Sequence, residues 1–232
     1  MSLVGINFSV HKEGYRFIAI GGLVSFIFTF FSSFLACICV VLTLFCAFFF
    51  RNPKRVIPMN PDLIVSPADG VVTGIAHEIP PQELELEGEK RYRVTIFLSI
   101  FNVHMNRLPV SGKIKKVVYQ PGSFLNAALE KSSIFNEKNT IVAELEGDSK
   151  SLVAFCQIAG MIARRIVCDV HEGQEIKKGE VFGLIRFGSR CDVWLPVGTI
   201  PQVIVGQTMI GGETVLTDVS IKKGTLREGT MI

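Results

Sequence analysis

The sequence predicts a mainly β protein that carries an N-terminal hydrophobic helical segment. From Phe17 to Phe50 no residue is charged, and 10 of the 18 Phe lie in that run. After Pro58 the texture changes to short Val/Ile-rich runs divided by Gly, Pro and Asp. Runs of that length and β-branching, at that spacing, read as the strands of a β-rich sandwich or barrel.

The apolar run comes first. It is too long for a signal-peptide core, and no small-residue cleavage site follows it. As one helix its 34 residues would extend roughly 50 Å at about 1.5 Å per residue. The hydrocarbon core of a bilayer is only about 30 Å thick. Two helices of about 17 residues, each at the lower limit for a span, fit better, and Ser32-Ser33 is the natural turn. Lys12 and Arg16 precede the run; Arg51, Lys54 and Arg55 follow it. Positive charge on both flanks is the pattern of a hairpin whose two ends are cytoplasmic. The expected organisation is therefore a tail at 1–16, a membrane-embedded helical segment at 17–50 and a β-rich domain at 51–232. That places the protein at the cell membrane, with the domain on the cytoplasmic face.

The mean hydropathy is +0.40, the net charge +3 and the pI near 8.5. Such a balance suits an anionic membrane surface and carries no nucleic-acid signature. Arg51-Asn52-Pro53-Lys54-Arg55 could meet acidic headgroups or act only as a topology signal. The six Cys show no C-x-x-C pair and no Cys/His ligand spacing. They read as small buried hydrophobes in a reducing compartment, with no metal site.

Within the β-rich part, strands are expected at 70–75, 92–98, 113–118, 141–145, 152–158, 165–170, 181–185 and 202–205. Residues 78–90 read as an exposed loop, and 124–132 as one or two helical turns. A weak internal echo is present: Ser66–Val72 and Pro109–Ile114 each place a turn before a strand. The later run Val170–Glu180 looks like the turn of biotinyl/lipoyl-type barrel-sandwich domains. In that turn Gly173 and Gly179 would take conformations closed to other residues. A carrier of that type needs a Lys at a hairpin tip, and Lys177-Lys178 lie elsewhere in the motif. The scaffold is shared, the carrier function is not.

Three segments hold residues able to do chemistry. Gly188-Ser189 follows the strand at 181–185. A Ser hydroxyl on a tight turn can attack the preceding carbonyl, and Gly lets the backbone bend for it. Alone the pair is more often a plain turn. His104, among Asn102, Asn106 and Arg107, carries an imidazole whose ordinary pKa suits a general base. A lone His is otherwise a structural hydrogen-bonder. Asp69, in Ser66-Pro67-Ala68-Asp69-Gly70, would orient His104 in the manner of a triad, or serve an Asx turn.

Together these segments resemble the short form of the phosphatidylserine decarboxylase proenzymes. The resemblance rests on Gly188-Ser189, on Ser66–Gly70, and on His104 ahead of Arg107-Leu108-Pro109. It extends to Phe49–Pro53, Ile158–Arg165 and Asp192–Pro196, and so covers most of the chain. It implies autocatalytic cleavage between Gly188 and Ser189 into chains 1–188 and 189–232. It also implies a covalent pyruvoyl group derived from Ser189, with His104 and Asp69 assisting. The ketone would take up the serine-headgroup amine of phosphatidylserine and accept the electrons released with CO2, giving phosphatidylethanolamine. Long-form relatives carry Leu-Gly-Ser-Thr at the cut and a second His where Arg107 stands here, which leaves His104 alone for proton transfer. Arg107, Arg164, Arg165 and Arg190 are the candidates to hold the phosphodiester. With no Gly-rich nucleotide loop, no nucleotide is expected. A homo-oligomer is plausible for a β-rich domain with apolar edges. The competing readings are a membrane adaptor with a lipoyl-like barrel, which lacks the usual heptads here, and a decarboxylase of a soluble amino acid, against which the apolar segment argues.

Overall fold

The charge-free run folds as two helices joined by a short turn. The computed structural model describes residues 8–86, 88–122, 136–160, 165–186, 189–221, 224–227 and 229, the side chains of Phe8 and Ser149 excepted. The helical reading of 124–132 lies outside the described residues. The chain divides into two units, 1–54 and 55–232.

In the first unit, strand β1 (Phe8–Val10) leads into helix α1 (Lys12–Thr29), helix α2 (Ser33–Phe49) and strand β2 (Arg51–Pro53). β1 pairs antiparallel with β2, Val10 opposite Arg51, and so closes the open end of the hairpin. Ser32 caps α2 by accepting from the Leu35 amide, which satisfies one of the donors a helix start leaves open. Glycines let the helices approach: a Cβ at Gly21 would meet the Thr43 side chain, and one at Gly14 the ring of Phe50. The hairpin leaves much apolar surface in solvent, including Phe26, Phe30, Phe31, Phe34, Leu42 and Leu44. No helix among the described residues is long and apolar enough to cross a membrane. The turn after Thr29 is the reason. α2 has 17 residues, about 26 Å at 1.5 Å per residue, and α1 begins with Lys12, Glu13 and Arg16.

The second unit is mainly β, as the sequence predicts. Its strands are β3 (Leu63–Val65), β4 (Gly70–Glu78), β5 (Arg91–Leu98), β6 (Met105–Arg107), β7 (Gly112–Gln120), β8 (Lys138–Leu145) and β9 (Asp148–Ala159). They continue with β10 (Ile166–Cys168), β11 (Glu175–Ile176), β12 (Val181–Ile185), β13 (Ser189–Trp194), β14 (Thr208–Met209) and β15 (Val215–Asp218). Eight form an antiparallel sheet in the order β11-β7-β8-β9-β13-β5-β4-β14. A three-stranded sheet, β10-β12-β6, and the pair β15-β3 complete the unit. The main core takes Val94, Ile96, Ile141, Phe155 and Val193 from the large sheet, and Phe182, Ile185 and Leu216 from the smaller ones. Phe155 and Phe182 meet edge to face at 5.2 Å.

The unit is built of two halves with one register. Gly173-Gln174 and Gly206-Gln207 open equivalent turns, and Gly179-Glu180 and Gly212-Glu213 close them. The first pair of turns exchanges bonds with Ile114 and Val72 respectively: Ile114 N donates to Gln174 O and Val72 N to Gln207 O. Gly179 N donates to Leu108 O, and Gly212 N to Ser66 O, each at 2.8 Å. All four glycines have φ between 81° and 90°, where a side chain is costly. β12 on β6 skips a residue between Val181 and Gly183; β15 on β3 skips one between Val215 and Thr217. β9 and β13 pair with each other at the centre. The faint echo in the sequence is thus a structural repeat.

Three readings change. Residues 202–205 form no strand, since Pro201 offers no N–H and the turn at Gly206 follows at once. Residues 78–90 are not wholly exposed: Leu84 and Leu86 pack on Trp194, Val142 and Ala154. β13 is a central strand that charged Arg190 and Asp192 disguised.

Gly112 begins β7 with φ 147°, and a Cβ there would run into the Glu144 carbonyl. Gly112→Ala should cost about 1–3 kcal/mol by overpacking against backbone that cannot yield, read as a clear fall in thermal midpoint. An unchanged midpoint would mean that β7 and β8 separate freely.

Candidate active site

β12 delivers the chain to residues 186–188, and Ser189 opens β13. In β6, Asn106 lies opposite Gly183, and its Nδ2 also donates to Cys191 Sγ at 3.6 Å. Asn106 thus links the small sheet to β13 of the large one. His104 is the residue before Met105, which lies opposite Leu184. His104 stands two residues before Asn106, and Ser189 two before Cys191, so this link lies two residues along the chain from each. Phe187 and Gly188, the residues before the expected cut, lie outside the described residues.

Both side chains are fully buried. Among the described residues, Ser189 Oγ has no hydrogen-bond partner. A buried hydroxyl left in that state costs about 1–3 kcal/mol, and such a cost is found where a group is kept for reaction. His104 Nδ1 lies 3.0 Å from Asn102 O. A carbonyl only accepts, so Nδ1 carries the proton and Nε2 is the basic nitrogen. Asn102 fixes this loop: its Oδ1 accepts from the Ser99 amide at 2.8 Å and the Ser99 hydroxyl at 2.9 Å.

Asp69 sits at the same end of the large sheet, one residue before β4. Val71 pairs with Phe97, and Leu98 pairs with Ser189. Its carboxylate does not reach His104. Arg55 Nη2 donates to Oδ1 at 2.9 Å and to Oδ2 at 2.7 Å. The Gly211 amide donates to Oδ1 at 2.8 Å. The repeat separates these contacts. In the other half Ser111 takes Asp69's place, accepting at Oγ from the Lys178 amide at 3.1 Å. The bond to Gly211 therefore belongs to the scaffold, and the Arg55 pair is what Asp69 adds. The triad contact expected from the sequence is replaced by an Asp–Arg pair.

The candidate arginines fall apart by position. Arg190 points to the sheet face opposite Ser189. There its Nε and Nη2 clamp Asp192 at 2.7 and 2.8 Å, and Arg93 Nη1 adds a contact at 3.1 Å. Arg107 is buried; its Nη1 donates to Gly179 O at 2.9 Å. Burial, and then the Arg55 charge, lower its pKa, while Asp69 and Glu213 oppose this. Arg165 is exposed and Arg164 lies outside the described residues. Among the described residues no cluster could hold a metal ion. All six Cys are free. Burial pushes the Cys156 thiol up to about 12 against the weaker pull of its bond from Thr140. Burial raises Cys191 as well.

Sequence reasoning missed Arg55, which read as a headgroup or topology residue because 14 positions separate it from Asp69. It also missed Asn106 and Gln157, whose amides meet only after folding.

The fold and site define a mainly β protein with a fully buried Ser and a fully buried His near the point where the chain passes from one sheet to the other. A sequence profile of phosphatidylserine decarboxylase matches residues 42–217. The chain is 52% identical over 214 residues to the phosphatidylserine decarboxylase proenzyme of Rickettsia akari (strain Hartford), covering 92% of each. It is 51% identical over 216 residues to that of Rickettsia rickettsii (strain Sheila Smith), covering 93% of each. It is 51% identical over 214 residues to that of Rickettsia bellii (strain OSU 85-389), covering 92% of each. The chain belongs to the phosphatidylserine decarboxylase family.

Asp69→Ser should keep the thermal midpoint, since Ser111 fills the equivalent place, yet slow self-cleavage by about tenfold or more through loss of the Arg55 pair. Cleavage at the parent rate would reduce Asp69 to a turn former. Alkylation of the native protein should spare Cys156 and Cys191, because burial and a raised pKa remove the reactive thiolate, and label both after denaturation. Labelling of the buried pair at the same rate in native and denatured protein would contradict their burial.

Proposed function

We propose that this protein cleaves itself between Gly188 and Ser189 and then decarboxylates phosphatidylserine to phosphatidylethanolamine. The observation that carries the reading is the buried Ser189 hydroxyl, which has no hydrogen-bond partner among the described residues, in a domain that also buries the basic nitrogen of His104. Family membership supports it.

In the precursor, Ser189 Oγ attacks the Gly188 carbonyl carbon while His104 Nε2 takes the hydroxyl proton. The peptide bond becomes an ester, and the freed Ser189 nitrogen takes up the proton. Loss of the Ser189 α-proton expels the Gly188 carboxylate. The dehydroalanine left at position 189 gains water and loses ammonia, ending as a pyruvoyl ketone. The chains are then 1–188 and 189–232. The orphaned hydroxyl is the observation that fits position 189 to this group: among the described residues no hydrogen bond holds Oγ back from reaction. When formed, the ketone supplies the electron sink for loss of CO2 from the serine headgroup.

The chain's own residues do the rest. His104 holds a proton at Nε2 for delivery to the carbon that CO2 leaves. Asp69 acts through Arg55, holding its guanidinium, and it carries the charge that offsets Arg55 and Arg107. Arg107 and Arg165 are the candidates to hold the phosphodiester. The buried Ser/His end of the sheet excludes water that would quench the reaction.

The N-terminal hairpin associates the protein with lipid. Its exposed Phe and Leu surface supports this, since patches of that size mark partner or membrane contact. The helices insert from the cytoplasmic side and return to it, leaving the domain on the cytoplasmic face. The repeated glycine turns support the barrel-sandwich class for the domain.

Ser189→Ala should remain a single chain and release no CO2 from phosphatidylserine vesicles, while wild-type protein does both steps. Normal processing of the alanine variant, or wild-type protein without decarboxylation, would sink the reading.

A further inference from the structure

We infer that the buried amides of Asn106 and Gln157 are positioning residues that set His104 against Ser189. The inference rests on the proposed self-cleavage.

His104 directly precedes β6 of the small sheet, and Ser189 opens β13 of the large one. Apolar packing between two sheets sets their separation but is non-directional, so it leaves sliding weakly opposed. Hydrogen bonds are directional and resist it. Gln157, on β9, donates from Nε2 to Asn106 Oδ1 at 2.9 Å and to Val167 O at 3.3 Å. Its Oε1 accepts from Asn139 Nδ2 at 3.1 Å. Asn106 Nδ2 reaches Cys191 Sγ on β13. Gln157 thus ties β9 to β6 and β10, and Asn106 ties β6 to β13. Asn106 and Gln157 are both fully buried. Asn106 stands two residues after His104, and Cys191 two after Ser189, so the tie lies one side-chain step from the reacting pair.

The repeat shows that the scaffold does not need these amides. Asn106 lies opposite Gly183 in β12, and Ile64 holds the same register opposite Thr217 in β15. Gln157 pairs with Asn139. In the other half Leu195 takes that place, its amide donating to Tyr92 O at 2.9 Å. Ile64 and Leu195 are fully buried. The same framework therefore accepts an apolar pair where no reacting residues have to be aligned. Buried polar groups in that position exchange stability for a unique arrangement.

The chain's own other half supplies the test: Asn106→Ile, Gln157→Leu and the double variant. Self-cleavage is followed by intact mass on freshly purified precursor, beside thermal midpoints. Decarboxylation of phosphatidylserine is measured on whatever fraction is cleaved. The double variant should keep a midpoint near the parent, while each single, which strands its partner's amide, loses some midpoint; all three should slow self-cleavage about tenfold or more, since a misplacement near 1 Å can cost about a hundredfold. The double variant should be no slower than the worse single, because the amides act as one unit. In the cleaved fraction kcat should fall with KM unchanged. Cleavage at the parent rate in folded variants would overturn the inference. So would a double variant whose midpoint falls in step with its rate, or that fails to fold, because the amides would then serve the fold. Failure of the parent chain to cleave or decarboxylate would instead remove the proposed function beneath it.

Discussion

The site depends on one crossing: the chain leaves the small sheet at Ile185 and enters the large one at Ser189. A strand that stays in its sheet keeps its backbone satisfied by neighbours. A chain that changes sheets exchanges one ladder for another. The side chain at the far end, Ser189, is fully buried, and so is His104, which directly precedes β6 of the small sheet.

Everything around the crossing holds it at a fixed level. β13 is gripped on both edges, by β9 and β5, along its whole length. Its outward face carries Arg190 and Asp192 locked together, with Arg93 bridging to Glu78 at 2.8 Å. A buried carboxylate with two guanidinium partners tolerates burial that an unpaired one would not. Those charges keep a strand with two ionic residues in the middle of a sheet. The inward face carries Ser189, Cys191 and Val193, and so points the reacting hydroxyl at β6. The two-halved scaffold supplies the geometry twice, and the halves are polarised at different places. Asn106 and Gln157 stand where the other half has Ile64 and Leu195, and Asp69, in that other half, stands where Ser111 does in the half that holds Asn106.

Much of this was legible in the sequence. Seven of the eight expected strands exist, because β-branched runs between glycine turns are the direct imprint of pleated, half-buried segments. Gly173 and Gly179 take the left-handed turns expected of them. Gly188-Ser189, His104 and Asp69 could be picked out as reactive types, and the fold brings all but the undescribed Gly188 to one end of the sheet. What the sequence hid was pairing over distance. β13 looked like a polar turn because Arg190 and Asp192 satisfy each other only once folded. Asp69 looked like a partner for His104, yet the segment after the helices brings Arg55 to it first. The apolar run, too long for one span, breaks after Thr29 into the two short helices that its length and Ser32-Ser33 predict. The amide tie could not be seen at all, since Asn106 and Gln157 are 51 positions apart.

The central claim is that Ser189 is a reactive hydroxyl and not a strand residue that happens to be buried. The intact mass of the purified wild-type protein, solubilised in detergent, tests it most directly. The account predicts two chains, one of them the 44 residues from position 189 to 232. That chain should be lighter by one ammonia than the same peptide ending in serine. A single full-length mass from protein that is folded and fresh, or a 189–232 chain with an intact N-terminal serine, would contradict it.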